Sequence, residues 1–203
     1  MRYFLFLAAL LIAFPASADS LDGIRIEPEK NIPAYDRDLY DHWIDADGDG
    51  QDAREEALIE ESLIPVTFQD GKVVAGLWVG PYCGFVTRNP GELDVDHMVP
   101  LKQAHLSGGY AWSADKRRDY ANALTDNDHL IAVKAGCNRS KSAQDPATWM
   151  PPNRTYWCDY LEDWIAIKRK WDLSMDQAEV DAVRSGLRVC GKYRAGDRLD
   201  GRH

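Results

Sequence analysis

Leu93-Asp94-Val95-Asp96-His97-Met98-Val99-Pro100 is the stretch on which the fold turns. From Leu93 to Val99 the residues alternate as in a half-buried β-strand, and Pro100 stops the run. Alternation sets Asp94, Asp96 and Met98 on one face and His97 on the other. An aspartate beside a histidine at a strand end brings a hard, metal-binding oxygen next to an imidazole that titrates near neutrality and can serve as a general base. Downstream, Asp126-Asn127-Asp128 leads into His129-Leu130-Ile131-Ala132-Val133, a second short strand. Gly136-Cys137-Asn138-Arg139-Ser140-Lys141 follows and opens a short helix.

Outward from this centre the pattern stays mixed. A helix is expected over Ala34–Ile44, with Tyr35, Leu39 and Trp43 on one face, and another from Ala53 to about Leu63, ended by Pro65. Val66–Phe68 and Lys72–Val79 flank Gln69-Asp70-Gly71 as a β-hairpin. Ser113 caps a helix through Asn122. Tyr160, Leu161, Trp164, Ile165, Lys168 and Trp171 recur at helical spacing, and Ser174 with Gln177 makes a capping-box pattern at the start of a last helix. The fold class is α+β.

The 203 residues are 45% hydrophobic and 28% charged, which excludes a disordered tail, a fibre or a coiled coil. Residues 1–18 read as a signal peptide: Arg2, an apolar run from Tyr3 to Phe14, then Ala16-Ser17-Ala18 as a cleavage pattern. Residues 19–203 are expected to form one exported domain, periplasmic or extracellular, with no membrane span. Four cysteines in an oxidising compartment make two disulfides; of the three pairings, Cys83 with Cys137 and Cys158 with Cys190 is the one chosen. Charge is uneven. Residues 19–96 carry six basic and nineteen acidic side chains, and residues 97–203 seventeen and fourteen. An acidic chain is a poor non-specific binder of polyphosphate, but its C-terminal half can still present a basic face. Lys116-Arg117-Arg118 and Lys168-Arg169-Lys170 are backbone-contact candidates, with a solvated helix face the better reading of each.

From about Tyr35 to Leu187 the chain resembles the secreted HNH endonucleases, a family with a ββα-metal core. The landmarks are Asp96-His97-Met98-Val99-Pro100-Leu101, His129-Leu130-Ile131-Ala132-Val133, Asn138-Arg139-Ser140-Lys141 and Trp149-Met150-Pro151-Pro152. The resemblance implies that His97 deprotonates a water and that Asp96 and Asn138 hold one divalent cation (Mg²⁺, Mn²⁺ or Ca²⁺). The substrate is nucleic acid, DNA ahead of RNA. The position that usually holds asparagine to orient the base is His129 here, with Asn127 as its rival. Arg139 and Lys141 are phosphate contacts or a solvated helix face. The family also carries a tryptophan and an arginine before the core, giving Trp43 and Arg54 supporting roles, with Arg54 at a phosphate.

Asp45-Ala46-Asp47-Gly48-Asp49-Gly50-Gln51-Asp52-Ala53-Arg54-Glu55-Glu56 fits a twelve-residue calcium loop. Acidic residues fall at positions one, three and five, glycine at six, Gln51 at seven and Glu56 at twelve. Asp52 at position eight departs from the pattern, where an apolar residue is usual. Residues 34–64 are thus read as helix-loop-helix with a structural Ca²⁺. The rival to the nuclease is a non-enzymatic, exported calcium-binding module built on this loop.

Overall fold

In chain order the computed structural model, which describes residues 21–124 and 129–199 (192–199 by backbone alone), forms α1 (Ala53–Glu60), β1 (Thr67–Gln69), β2 (Lys72–Ala75), β3 (Trp78–Gly80), β4 (Phe85–Thr87), β5 (Leu93–His97), α2 (Leu101–Leu106), α3 (Ala114–Ala121), β6 (Leu130–Lys134), α4 (Ala135–Lys141), α5 (Trp157–Lys170) and α6 (Gln177–Leu199). The strands make three antiparallel pairs, β1–β2, β3–β4 and β5–β6. With the helices they give the α+β class. The expected signal peptide, and Asn127, lie outside the described residues.

The β5–β6 ribbon separates two cores. Asp96 stands opposite Ile131 and His97 opposite Leu130. Leu93, Val95, Leu130 and Ala132 face a smaller core with Ala57 and Leu58 of α1 and Trp78 of β3. Ile131 and Val133 face the larger core, where Tyr160, Leu161 and Trp164 of α5 pack with Val180 and Val183 of α6. α4 begins directly after β6 and packs on both strands of the ribbon. Two short strands cannot bury a core alone; covering both faces with separate elements does it.

Both disulfides form as chosen, Cys83–Cys137 and Cys158–Cys190. They close loops of 54 and 32 residues, each worth about 4 kcal/mol of lost chain entropy in the unfolded state. Cys158–Cys190 ties α5 to α6. Cys83–Cys137 ties the β3–β4 turn to α4.

Three local expectations are corrected. Ala34–Ile44 is not a helix; it contains only a 3-10 turn at Arg37–Leu39, so 34–64 is not helix-loop-helix. Its aromatic residues go to different neighbours, Tyr35 and Tyr40 to His105 and Trp43 to His97, and Trp43 has a left-handed φ of 61°. Asn122, just past α3, clamps the segment by accepting from Ile44 N and donating to Asp41 O. The Lys72–Val79 run breaks at Gly76, where any Cβ would collide with the Trp78 ring at 2.5 Å, and Trp78–Gly80 pairs with Phe85–Thr87 instead. Finally, Asp176, not Ser174, caps α6 by accepting from Glu179 N; the Ser174 hydroxyl donates to Ser107 O.

Candidate active site

A cavity of about 410 Å³ opens beside the ends of β5 and α4. Asp96, His97, Asn138 and Arg139 line it with Tyr35, Arg37 and Lys102. The ribbon and α4 bring Asp96 and His97 to Asn138 and Arg139, and the irregular segment around Arg37 closes in from more than fifty positions upstream.

His97 is 5% exposed. Its Nε2 lies 2.8 Å from Ala121 O, and a carbonyl only accepts, so Nε2 carries the hydrogen and Nδ1 is the ring's acceptor. His129, 1% exposed, repeats the arrangement with Tyr120 O at 2.7 Å. Both carbonyls belong to the last turn of α3, where the helix leaves carbonyls without intrahelical partners. Aromatic rings close over the pair: Tyr120 stacks on His97, and Trp43 sits 5.6 Å from it. His129 meets His97 edge-on at 6.1 Å, so the hydrogen bond that orients His97 comes from backbone.

Burial pushes both imidazoles toward the neutral form, His97 well below its ordinary range and His129 down to about 4; for His97 the neighbouring His129 adds to the shift. His97 is therefore an uncharged base at neutral pH. The unfolded chain takes up a proton at His129 near pH 6.5, whereas the folded one refuses it until about 4. Between those values the unfolded state binds more protons, so stability is lost as the pH is lowered from about 6.5 to about 4. The expected loss from His129 alone is about 3 kcal/mol. Urea unfolding at pH 7, 5.5 and 4 measures it. His129→Gln, which keeps a donor for Tyr120 O, flattens the dependence.

The Asp96 carboxylate is 8% exposed and held through one oxygen. Tyr82 donates its hydroxyl to Asp96 Oδ2 at 2.9 Å, and Lys141 donates to the same atom at 2.6 Å. Burial raises the Asp96 carboxyl, opposed by the Lys141 charge. Asn138 donates Nδ2 to Asp94 Oδ2 at 3.1 Å, which turns its carbonyl Oδ1 away from that bond. Asp96 and Asn138 both line the cavity, and a carboxylate with an amide carbonyl is a hard-oxygen pair that would suit a divalent cation. The Cys83–Cys137 link holds the residue next to Asn138.

Two expectations about basic residues change. Lys141 is neither a phosphate contact nor a solvated residue; it is fully buried and donates to Asp96 and His97 O. Arg54 pairs with Glu55 on α1 and is absent from the cavity lining, which Arg37 and Arg139 supply. Arg37 donates from Nη2 to His42 Nε2, whose Nδ1 donates to Tyr40 O. No periodicity singled out Arg37. Lys141 did carry a signal, since it stands three residues after Asn138 on the same helix face. Of the two basic runs, Arg117 donates to Leu39 O and Trp112 O, Arg118 pairs with acidic neighbours, and Lys168 is buried.

The calcium-like loop is ordered by its own backbone. Asp45 accepts from Gly48 N and Gly50 N, Asp47 from Asp49 N, and Asp49 from Gln51 N. Carboxylate oxygens of Asp45, Asp47 and Asp49 lie within 4.8 Å of one another. Partial burial, then the charges of Asp47, Asp49 and Asp45, raise the Glu56 carboxyl. Asp52 departs from the loop pattern because it caps α1, accepting from Arg54 N and Glu55 N.

Residues 49–184 match the family described as the C-terminal domain of GmrSD restriction endonucleases, which sets the chain in a nuclease-related class. The chain belongs to that family. It is also 35% identical over 170 residues to an "Uncharacterized secreted protein" of Arthroderma benhamiae, covering 84% of this chain and 82% of the relative. No solved structure matches. Among the described residues, no helix is long and apolar enough to cross a membrane.

Proposed function

We propose that this protein is an exported, metal-dependent endonuclease of the HNH type that hydrolyses phosphodiester bonds of DNA, and of RNA secondarily. The observation that carries the reading is the single cavity that joins a neutral histidine, two hard oxygen donors and two arginines. Export is supported by the apolar N-terminal run, the two disulfides and the relative's description as secreted.

His97 Nδ1 takes the proton from the attacking water while Ala121 O holds the ring in place through Nε2. His129 sits behind it as part of the wall that keeps the imidazole neutral. Arg37 and Arg139 bind the scissile phosphate and oppose its growing negative charge. Asp96 and Asn138 would hold the divalent cation, and when bound it would supply Lewis-acid stabilisation of the charge that develops on the phosphate. A plasmid-nicking assay with EDTA, Mg²⁺, Mn²⁺ or Ca²⁺ tests the reading. Nicking that depends on a divalent cation is expected; no nicking with any cation sinks it.

The Asp45–Glu56 loop favours a second, structural ion, since its carboxylates converge and Glu56 feels three of them. Calcium at about a hundred times its dissociation constant then stabilises the fold by about 2.7 kcal/mol. Asp45→Ala removes most of the calcium-dependent rise in melting temperature and leaves nicking in Mg²⁺ largely intact. An unchanged rise assigns the ion elsewhere. A calcium-dependent rise without nicking favours the binding module.

A further inference from the structure

Lys141 is a fully buried cation whose ammonium reaches two atoms with different duties. It lies 2.6 Å from Asp96 Oδ2 and 3.0 Å from the backbone carbonyl of His97. Tyr82 donates to the same Oδ2 from the opposite side of the chain, and its ring lies 5.9 Å from the ammonium. Burying an ammonium is costly unless it is paired and hydrogen-bonded. These two donors fix which oxygen of Asp96 is occupied. They also tie the metal-ligand candidate and the base candidate, neighbours on β5, to α4, which carries Asn138.

We infer that Lys141 is a positioning residue for the cation site: it pins Asp96 Oδ2, presents Oδ1 alone to the cavity and holds down the cation's affinity by standing beside it as a second positive charge. This inference rests on the metal-dependent reading above. Lys141 touches no substrate in it. Its role is to fix the angle of Asp96 relative to His97 and Asn138, and to offset the site's negative charge so that a bound cation is held loosely enough to exchange.

The two effects separate this role from a structural one. In Lys141→Met the carboxylate gains freedom to use both oxygens and loses its competing counter-charge, so the cation becomes its main partner. Mn²⁺ is the probe, titrated by calorimetry or by its electron paramagnetic resonance signal at pH 8 without nucleic acid. An Asp45→Ala background weakens the loop's share of the titration, and Asp96→Asn in the same background identifies the part that belongs to the cavity. The expected result is Mn²⁺ binding about tenfold tighter, with kcat for plasmid nicking down about a hundredfold and KM little changed. Tyr82→Phe keeps the charge and removes only one donor, so it lowers kcat by a few-fold and leaves Mn²⁺ affinity within about threefold. Tyr82→Phe carries the test if Lys141→Met does not fold, and full wild-type kcat in Tyr82→Phe then overturns the inference. Weaker Mn²⁺ binding in Lys141→Met, falling with kcat, also overturns it and leaves Lys141 a stability residue. Absence of both Mn²⁺ binding and nicking in the parent protein overturns the reading beneath it instead.

Discussion

His97→Ala is expected to lower metal-supported nicking by about 10²- to 10⁴-fold, the span typical of losing a positioned general base. The reason is specific to this ring. Its Nε2 is committed to Ala121 O, its Nδ1 is the acceptor, and burial keeps it neutral at the pH of the assay. No second group in the cavity lining combines those properties: Arg37, Lys102 and Arg139 are cations, and Asp96 is engaged by Lys141 and Tyr82. Mn²⁺ binding survives the substitution because Asp96 and Asn138 remain. Retained nicking assigns the base to another residue. His97→Ala that binds Mn²⁺ normally and does not nick distinguishes loss of chemistry from loss of the site.

The largest effect on stability is expected at Lys168. Its ammonium is 0% exposed and reaches Ser107 Oγ, Ser174 O and the Glu179 carboxylate at 2.9, 2.8 and 2.7 Å. The same carboxylate accepts from Trp164 Nε1. One cation thus joins α5 to the end of α2, to the segment before α6, and to α6 itself. Lys168→Ala leaves Glu179 buried without its counter-charge, a loss of about 3–5 kcal/mol from a total that for most domains is about 5–15 kcal/mol. Urea unfolding reads it directly. Replacing both partners, Lys168→Met with Glu179→Gln, recovers most of the loss because the amide still accepts from Trp164. A single-variant loss under about 1 kcal/mol means the pair adds no more than a surface ion pair does.

What was legible in the sequence was local. Alternation from Leu93 onward located β5, the apolar run after His129 located β6, and the glycine after it opened α4, because strand and helix periods are set by backbone geometry. His97, Asp96 and Asn138 come to one cavity because those elements adjoin. The calcium-like loop kept its glycines at positive φ, 79° at Gly48 and 92° at Gly50. Long-range bonding was not legible. Arg37 enters the cavity from an irregular segment whose path is dictated by Asn122 and His42. Lys141 read as a phosphate contact or part of a solvated helix face, and Lys168 as a solvated member of a basic run, although Lys168 stands in the apolar spacing of α5, four residues after Trp164. A charge on an apolar stripe is buried only if the rest of the fold brings it a partner, and that partner, Glu179, lies on another helix.

The ribbon described above is a party wall with a hydrophobic chamber on either side. Parting β5 from β6 would loosen both chambers together. Openings of that kind cost close to the whole free energy of unfolding, unlike the fraying of a surface loop. The wall that carries Asp96 and His97 is therefore expected to keep one geometry for as long as the molecule stays folded. Arg37 and Lys102, exposed where they line the cavity, are then the part of the site free to move against a fixed wall.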